Sequence, residues 1–142
     1  MKLKSIVKKE LKNLQLPPYK VTIKKHSEVY PDNPKKINSY QIKISINSKS
    51  DHPEEDCSCS HLDFWYNAKE QRIEHIKFSM KELKGIGLGR KLVNSMEEIG
   101  KKLGCLTSRV CVNTNEIFWK KMGYKPIENY WEKQIIDNNR NN

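Results

Sequence analysis

Lys84, Gly85, Ile86, Gly87, Leu88, Gly89, Arg90 and Lys91 follow one another, with glycine at alternate positions and three cations at the two ends. Residues 72–80, just upstream, alternate as a strand, and the sequence from Leu88 onward carries an apolar helical stripe. The order is therefore strand, short loop, glycines, helix. The first turn of a helix presents backbone N–H groups with no intrahelical partner, and the helix dipole adds partial positive charge there. Glycines let a phosphate approach those groups with no Cβ in the way, and Lys84, Arg90 and Lys91 add full charges. On these grounds the stretch is a pyrophosphate cradle; an ordinary tight strand-to-helix turn is the other reading. The dinucleotide fingerprint is spaced differently and sits on the first strand of a parallel unit. The Walker loop is excluded, because no Gly-Lys-Ser/Thr follows.

Downstream lie Asn113-Thr114-Asn115-Glu116-Ile117-Phe118-Trp119-Lys120-Lys121-Met122-Gly123-Tyr124. Together with the glycine loop, this stretch resembles the GNAT (Gcn5-related) N-acetyltransferases. In that family a Gln/Arg-x-x-Gly-x-Gly/Ala signature holds acetyl-CoA, and an Asn, an aromatic pair and Gly-Phe or Gly-Tyr follow one helix and one strand later. Lys84 stands in the Gln/Arg place, and Gly87 and Gly89 stand in the glycine places. The resemblance covers roughly residues 60–136 and carries little into residues 1–50.

The resemblance implies acetyl-CoA bound by residues 84–91, with Asn115, Phe118 and Trp119 beside the pantetheine arm. It implies a backbone N–H donor to the thioester carbonyl at about Phe78, Ser79 or Met80, where the fourth strand splays from its neighbour. Such a donor, aimed at a developing oxyanion, is worth on the order of 3 kcal/mol. The acceptor amine must lose a proton, and Glu74 and His75 on the same strand are the candidate bases. Strict alternation sends them to opposite faces, Glu74 with Ile76 and Phe78, and His75 with Lys77 and Ser79. Glu74 is preferred, because the family often places a carboxylate on that strand. The family's usual acid is a tyrosine at the second aromatic, which is Trp119 here; indole is a donor without useful acidity. Water or a hydroxyl such as that of Tyr124 must fill the role, or it is vacant. Asn115 also suits the cap of the short helix, and Phe118 and Trp119 also suit a core. A non-catalytic module holding acyl-CoA is the competing class.

The 142 residues comprise 36% hydrophobic and 31% charged types, enough for one globular domain over residues 1–136 with a polar tail at 137–142. The formal charge of +10 is unevenly spread. Residues 1–50 hold 12 lysines against 3 acids, whereas 51–60 hold four acids and no base. A basic face attracts an acidic protein surface or a nucleic acid, and a solvated surface is the plainer reading. No apolar run reaches membrane-spanning length, and the start resembles no signal peptide, so the expected location is the cytoplasm. Cys57, Cys59, Cys105 and Cys111 are expected as free thiols, and a metal site at Cys57, Cys59 and His61 is disfavoured by its spacing.

These residues need elements to position them. Leu3, Ile6, Val7, Leu11 and Leu14 form a helical stripe within residues 1–16, closed by Pro17-Pro18. Strands are expected at 19–26, 40–46, 61–66 and 72–80, with a hairpin turn at 67–71 and loops at 27–38 and 47–60. A helix follows from Leu88, with Gly104 where a left-handed cap belongs. Then come a strand at 107–112, a short helix at 115–121 and one last strand at 124–136. The expected fold is α/β (α+β), a GNAT-like mixed, mostly antiparallel sheet flanked by helices. The family inserts two helices between its first two strands to wall the acceptor side. Residues 27–38 are too short and too proline-rich for that, so either residues 1–16 supply the wall or the acceptor side is open and suits a protein or peptide amine.

Overall fold

The structure is a computed structural model that describes residues 3–16, 18–27, 37–46, 60–79, 87–112 and 115–136. Helix α1 (Leu3–Leu11) continues into a 3-10 turn at Lys12–Leu14 and stops at Gln15, whose left-handed backbone breaks the helix. Strands β1 (Tyr19–Ser27), β2 (Ile37–Ile46), β3 (Ser60–Asn67) and β4 (Arg72–Ser79) form an antiparallel meander. Helix α2 (Leu88–Lys102) leads to β5 (Thr107–Val110), which lies parallel to β4. Helix α3 (Glu116–Lys121) precedes a hairpin of β6 (Lys125–Ile127) and β7 (Tyr130–Gln134). The seven strands make one sheet in the order β1-β2-β3-β4-β5-β7-β6, mixed and mostly antiparallel, with helices packed on it.

The core lies on one side of the sheet. Ile42, Ile44, Leu62, Phe64 and Ile73 point there and are fully buried, because directly paired residues share a face and every second residue alternates. Helix α2 seats Leu92, Val93, Met96 and Ile99 on that surface at the helical period. At Gly100 a Cβ would lie 2.5 Å from Ile73 Cδ1 and 2.9 Å from Ile135 Cδ1, so a larger residue would force these packed side chains to shift. Gly104, with φ of +86°, ends α2 in the left-handed cap expected of it. Helix α1 buries Leu3, Val7 and Leu11 beside α2, and Lys102 pairs with Glu10 across them.

Two expectations change. The single strand expected at 124–136 is the β6–β7 hairpin, turned at Glu128 with φ of +52°. In β4 the alternation breaks at His75, which has φ of +54°. Asp63 pairs with Lys77 but Trp65 pairs with Glu74, so β4 carries one extra residue, a β-bulge. The metal site disfavoured on spacing falls mainly at residues 57–59, outside the described residues. Among the described residues no group of three or more His, Cys, Asp or Glu side chains could hold a metal ion.

Candidate active site

Strands β4 and β5 are paired only at Arg72–Thr107 and Ile73–Ser108. Beyond that point β4 runs on to Ser79 and β5 to Val110 without a ladder between them, so the parallel pair opens into a V. Three elements meet at its mouth. Phe78, near the end of β4, stacks on Phe118 of α3 with ring centroids 5.6 Å apart. The same ring fills the space beside Gly89, where a Cβ would lie 2.7 Å from Phe78 Cζ. Gly89 therefore seats the start of α2 on β4, a packing role beside the phosphate role expected of it.

Gly87 occupies the N-cap of α2 with φ of +72°, and a Cβ there would meet nothing within 4 Å. Among the described residues no side chain caps this end. Lys91 N–H returns to the Gly87 carbonyl at 3.3 Å, and the N–H groups of Leu88, Gly89 and Arg90 belong to the first turn, which has no intrahelical acceptors. Leu88 is buried and anchors the turn, while the side chains of Arg90 and Lys91 are exposed. An open, positively charged helix N-terminus suits a phosphate or pyrophosphate. Met80, Lys84, Gly85 and Ile86, also expected at this site, lie outside the described residues.

On the aromatic side, Trp119 is 5% exposed and meets Phe78, Phe118 and Tyr124 edge to face. Tyr124 is 1% exposed, and its hydroxyl donates to Glu97 Oε2 at 3.0 Å and lies 2.8 Å from Ser108 Oγ. Burial, with Glu97 alongside, pushes the phenol well above its ordinary value. Glu97 also accepts from Lys133 Nζ at 2.7 Å, so α2 and β7 are tied at one buried carboxylate and β5 is joined to it through Tyr124. Glu97 did not stand out in the sequence, although it falls one turn after Val93 on the buried side of α2. Asn115 stands at the N-cap of α3 but with φ of 61° and no side-chain capping bond, contrary to the expected cap.

The bulge overturns the expected separation of Glu74 and His75. Glu74 pairs with Trp65, and Lys77 with Asp63, whereas Phe78 pairs with Leu62. Glu74 therefore lies on the face of Trp65, opposite Phe78 and Ile76. His75 meets the edge of Trp65 with ring centroids 5.7 Å apart, so both candidate bases reach that face. Glu74 accepts from Asn67 Nδ2 at 2.6 Å and from Arg72 Nε at 3.3 Å, whereas His75 is exposed. Around them the sheet is polar. His26 stacks on Trp65 at 4.3 Å, its Nε2 lies 3.2 Å from Gln41 Oε1, and Gln41 Nε2 donates to both oxygens of Asp63. No spacing signal in the sequence joins these residues; they meet only through the register of β1, β2 and β3.

Among the crystal structures similar to the chain are one described as an acetyltransferase and one described as a putative acetyltransferase. The nourseothricin acetyltransferase aligns over 86% of this chain and 90% of its own, with 16% identity and a TM-score of 0.47. A protein from Agrobacterium tumefaciens aligns over 92% of this chain and 85% of its own, with 12% identity and a TM-score of 0.38. No protein-family profile and no curated protein matches the sequence. No helix among the described residues is long and apolar enough to cross a membrane.

Proposed function

We propose that the chain is an N-acetyltransferase that moves an acetyl group from acetyl-CoA to a primary amine on a protein or peptide. One observation carries this reading: a parallel strand pair that opens after two residue pairs, with an uncapped, glycine-led basic helix N-terminus at its mouth. The residues fit the cofactor. The first-turn N–H groups of α2, with Arg90 and Lys91, would hold its pyrophosphate, and the open Gly87 leaves the approach clear. The unladdered edge of β4 near Phe78 and Ser79 offers backbone donors for a carbonyl. When bound, acetyl-CoA supplies an activated acetyl thioester.

The proton of the acceptor ammonium goes to the polar face of β4. Glu74 already accepts two hydrogen bonds, from Asn67 and Arg72, which engage both of its oxygens. His75 is exposed and makes no hydrogen bond among the described residues, so its ring is the freer of the two to take the proton. An acceptor segment with acidic residues suits the basic N-terminal third. A second reading, a module that binds acyl-CoA without turnover, is favoured by Trp119 packed in the core and by the engaged Tyr124 hydroxyl.

The test is thermal stabilisation by CoA together with thiol release from acetyl-CoA over a panel of peptide amines. CoA at about a hundred times its dissociation constant should add roughly 2.7 kcal/mol to the wild type. Gly87→Glu puts a carboxylate at the helix N-terminus and should abolish that gain. A mutant that keeps full stabilisation refutes the cradle. Stabilisation without thiol release from any acceptor selects the binding module.

A further inference from the structure

Far from the open strand pair, α1 and the sheet edge line an open groove of about 530 Å³, with Leu3, Lys4, Val21, Ile23, Lys25 and Tyr40 in its lining. The lining is mixed: Leu3, Val21 and Ile23 are apolar, and Thr22 and the two lysines are polar. Strand β1 is the end strand of the sheet. Its register with β2 is continuous from Tyr19–Ile46 to His26–Ser39, which satisfies one side of its backbone. The N–H and C=O groups that point the other way have no strand beside them among the described residues. Strand β1 is also three strands from β4, about 14 Å at the usual spacing, so this edge is separate from the proposed transfer site.

This edge carries a concentration of lysines. Lys4, Lys8 and Lys12 recur every four residues along one flank of α1, and Lys4 places that flank on the groove. Lys20 and Lys24 stand on the opposite face of β1, paired with Ser45 and Gln41. All five are exposed and none enters an ion pair among the described residues.

We infer that this edge takes an extended acidic segment of another protein as an added strand beside β1. The three features fit one occupant. An extended chain pairs its backbone with the free edge of β1, and its side chains alternate between the two faces. Apolar side chains on one face enter the groove over Val21 and Ile23, and acidic ones on the other meet Lys20 and Lys24. A nucleic acid would use the lysines but leave Leu3, Val21, Ile23 and the edge amides without partners. The inference needs no acyl transfer, and it stands or falls separately from the proposed activity.

The experiment is fluorescence anisotropy with the full chain and a labelled peptide of about eight alternating Val and Glu residues, a typical strand length. Binding should weaken at least about tenfold in Lys20→Glu/Lys24→Glu, whose side chains are exposed and leave the core intact. It should also weaken as salt rises, because exposed charges are screened beyond about 10 Å. Two further peptides, N-methylated at alternate amides in the two complementary registers, report on edge pairing: one should bind like the parent and the other should fail. Equal binding of both, or no binding of the parent peptide, overturns the inference. So does an oligothymidine that binds tightly and is not displaced by the peptide, which would assign the lysines to nucleic acid.

Discussion

Tyr124 shows how burial decides what a side chain does. Its hydroxyl sits between Glu97 and Ser108 in the core, and burial holds the phenol protonated, so its part is to join α2 to β5. Tyr124→Phe leaves Glu97 with one partner fewer and should cost about 2 kcal/mol in urea unfolding. Turnover of the folded variant should stay within about twofold; a loss of about a hundredfold or more would make Tyr124 a proton donor after all. Cys105 gives a pH prediction with a definite sign. Burial pushes its thiol from 9.0 up to about 12, so between those values the unfolded chain has lost a proton that the native state retains. Stability should therefore fall as pH rises through this window, and Cys105→Ala should flatten the decline in urea midpoints measured from pH 8 to 11. The exposed Cys111 should react with iodoacetamide in the folded protein, while Cys105 reacts only on unfolding.

At the scale of elements, α2 and β4 carry the candidate site in different ways. Helix α2 is locally specified: an apolar stripe, a glycine start and a glycine stop agree with one another. Strand β4 depends on its bulge, which turns Glu74 and His75 to one face and leaves Phe78 on the other. A left-handed backbone at a residue other than glycine costs of order 1–3 kcal/mol and persists only where the surroundings require it. His75→Gly should keep the bulge with little change in stability, and His75→Val should destabilise by more than about 1 kcal/mol, because a β-branched side chain resists positive φ. Both substitutions remove the imidazole, so comparing their kcat values at equal folded fraction separates the loss of the base from the loss of the bulge.

The whole molecule is a two-sided sheet. One face is covered by helices and the other, from Lys20 on β1 to Glu132 on β7, presents polar side chains with Trp65 near its middle. The covering of the core face is completed by α1, whose Leu3, Val7 and Leu11 pack beside α2. The wall expected from residues 1–16 thus lies on the side of α2, away from Glu74. Leu11 is 1% exposed, so Leu11→Ala should cost about 2–5 kcal/mol. Its unfolding should remain one cooperative transition, because α1 shares its core with the sheet; a separate early loss of helical signal would show α1 to be an independent appendage.

By itself the sequence determined whatever depends on neighbours a few residues apart. The helical stripe and Gly104 stop of α2, the alternation of β1 to β3 and the uncapped glycine start at Gly87 are short-range properties of the chain. Only the tertiary structure decided the bulge at His75, because an extra residue exists only relative to the partner register of β3. The same holds for the β6–β7 hairpin, whose turn at Glu128 carries no glycine or proline to announce it, and for the opening between β4 and β5, which are separated in the chain by all of α2. Trp119 and Tyr124 could serve chemistry or packing equally well as residue types. Their burial against Phe78, Glu97 and Ser108 gives both a packing role that no local signal carries, since desolvation acts on a side chain only once distant segments have closed around it.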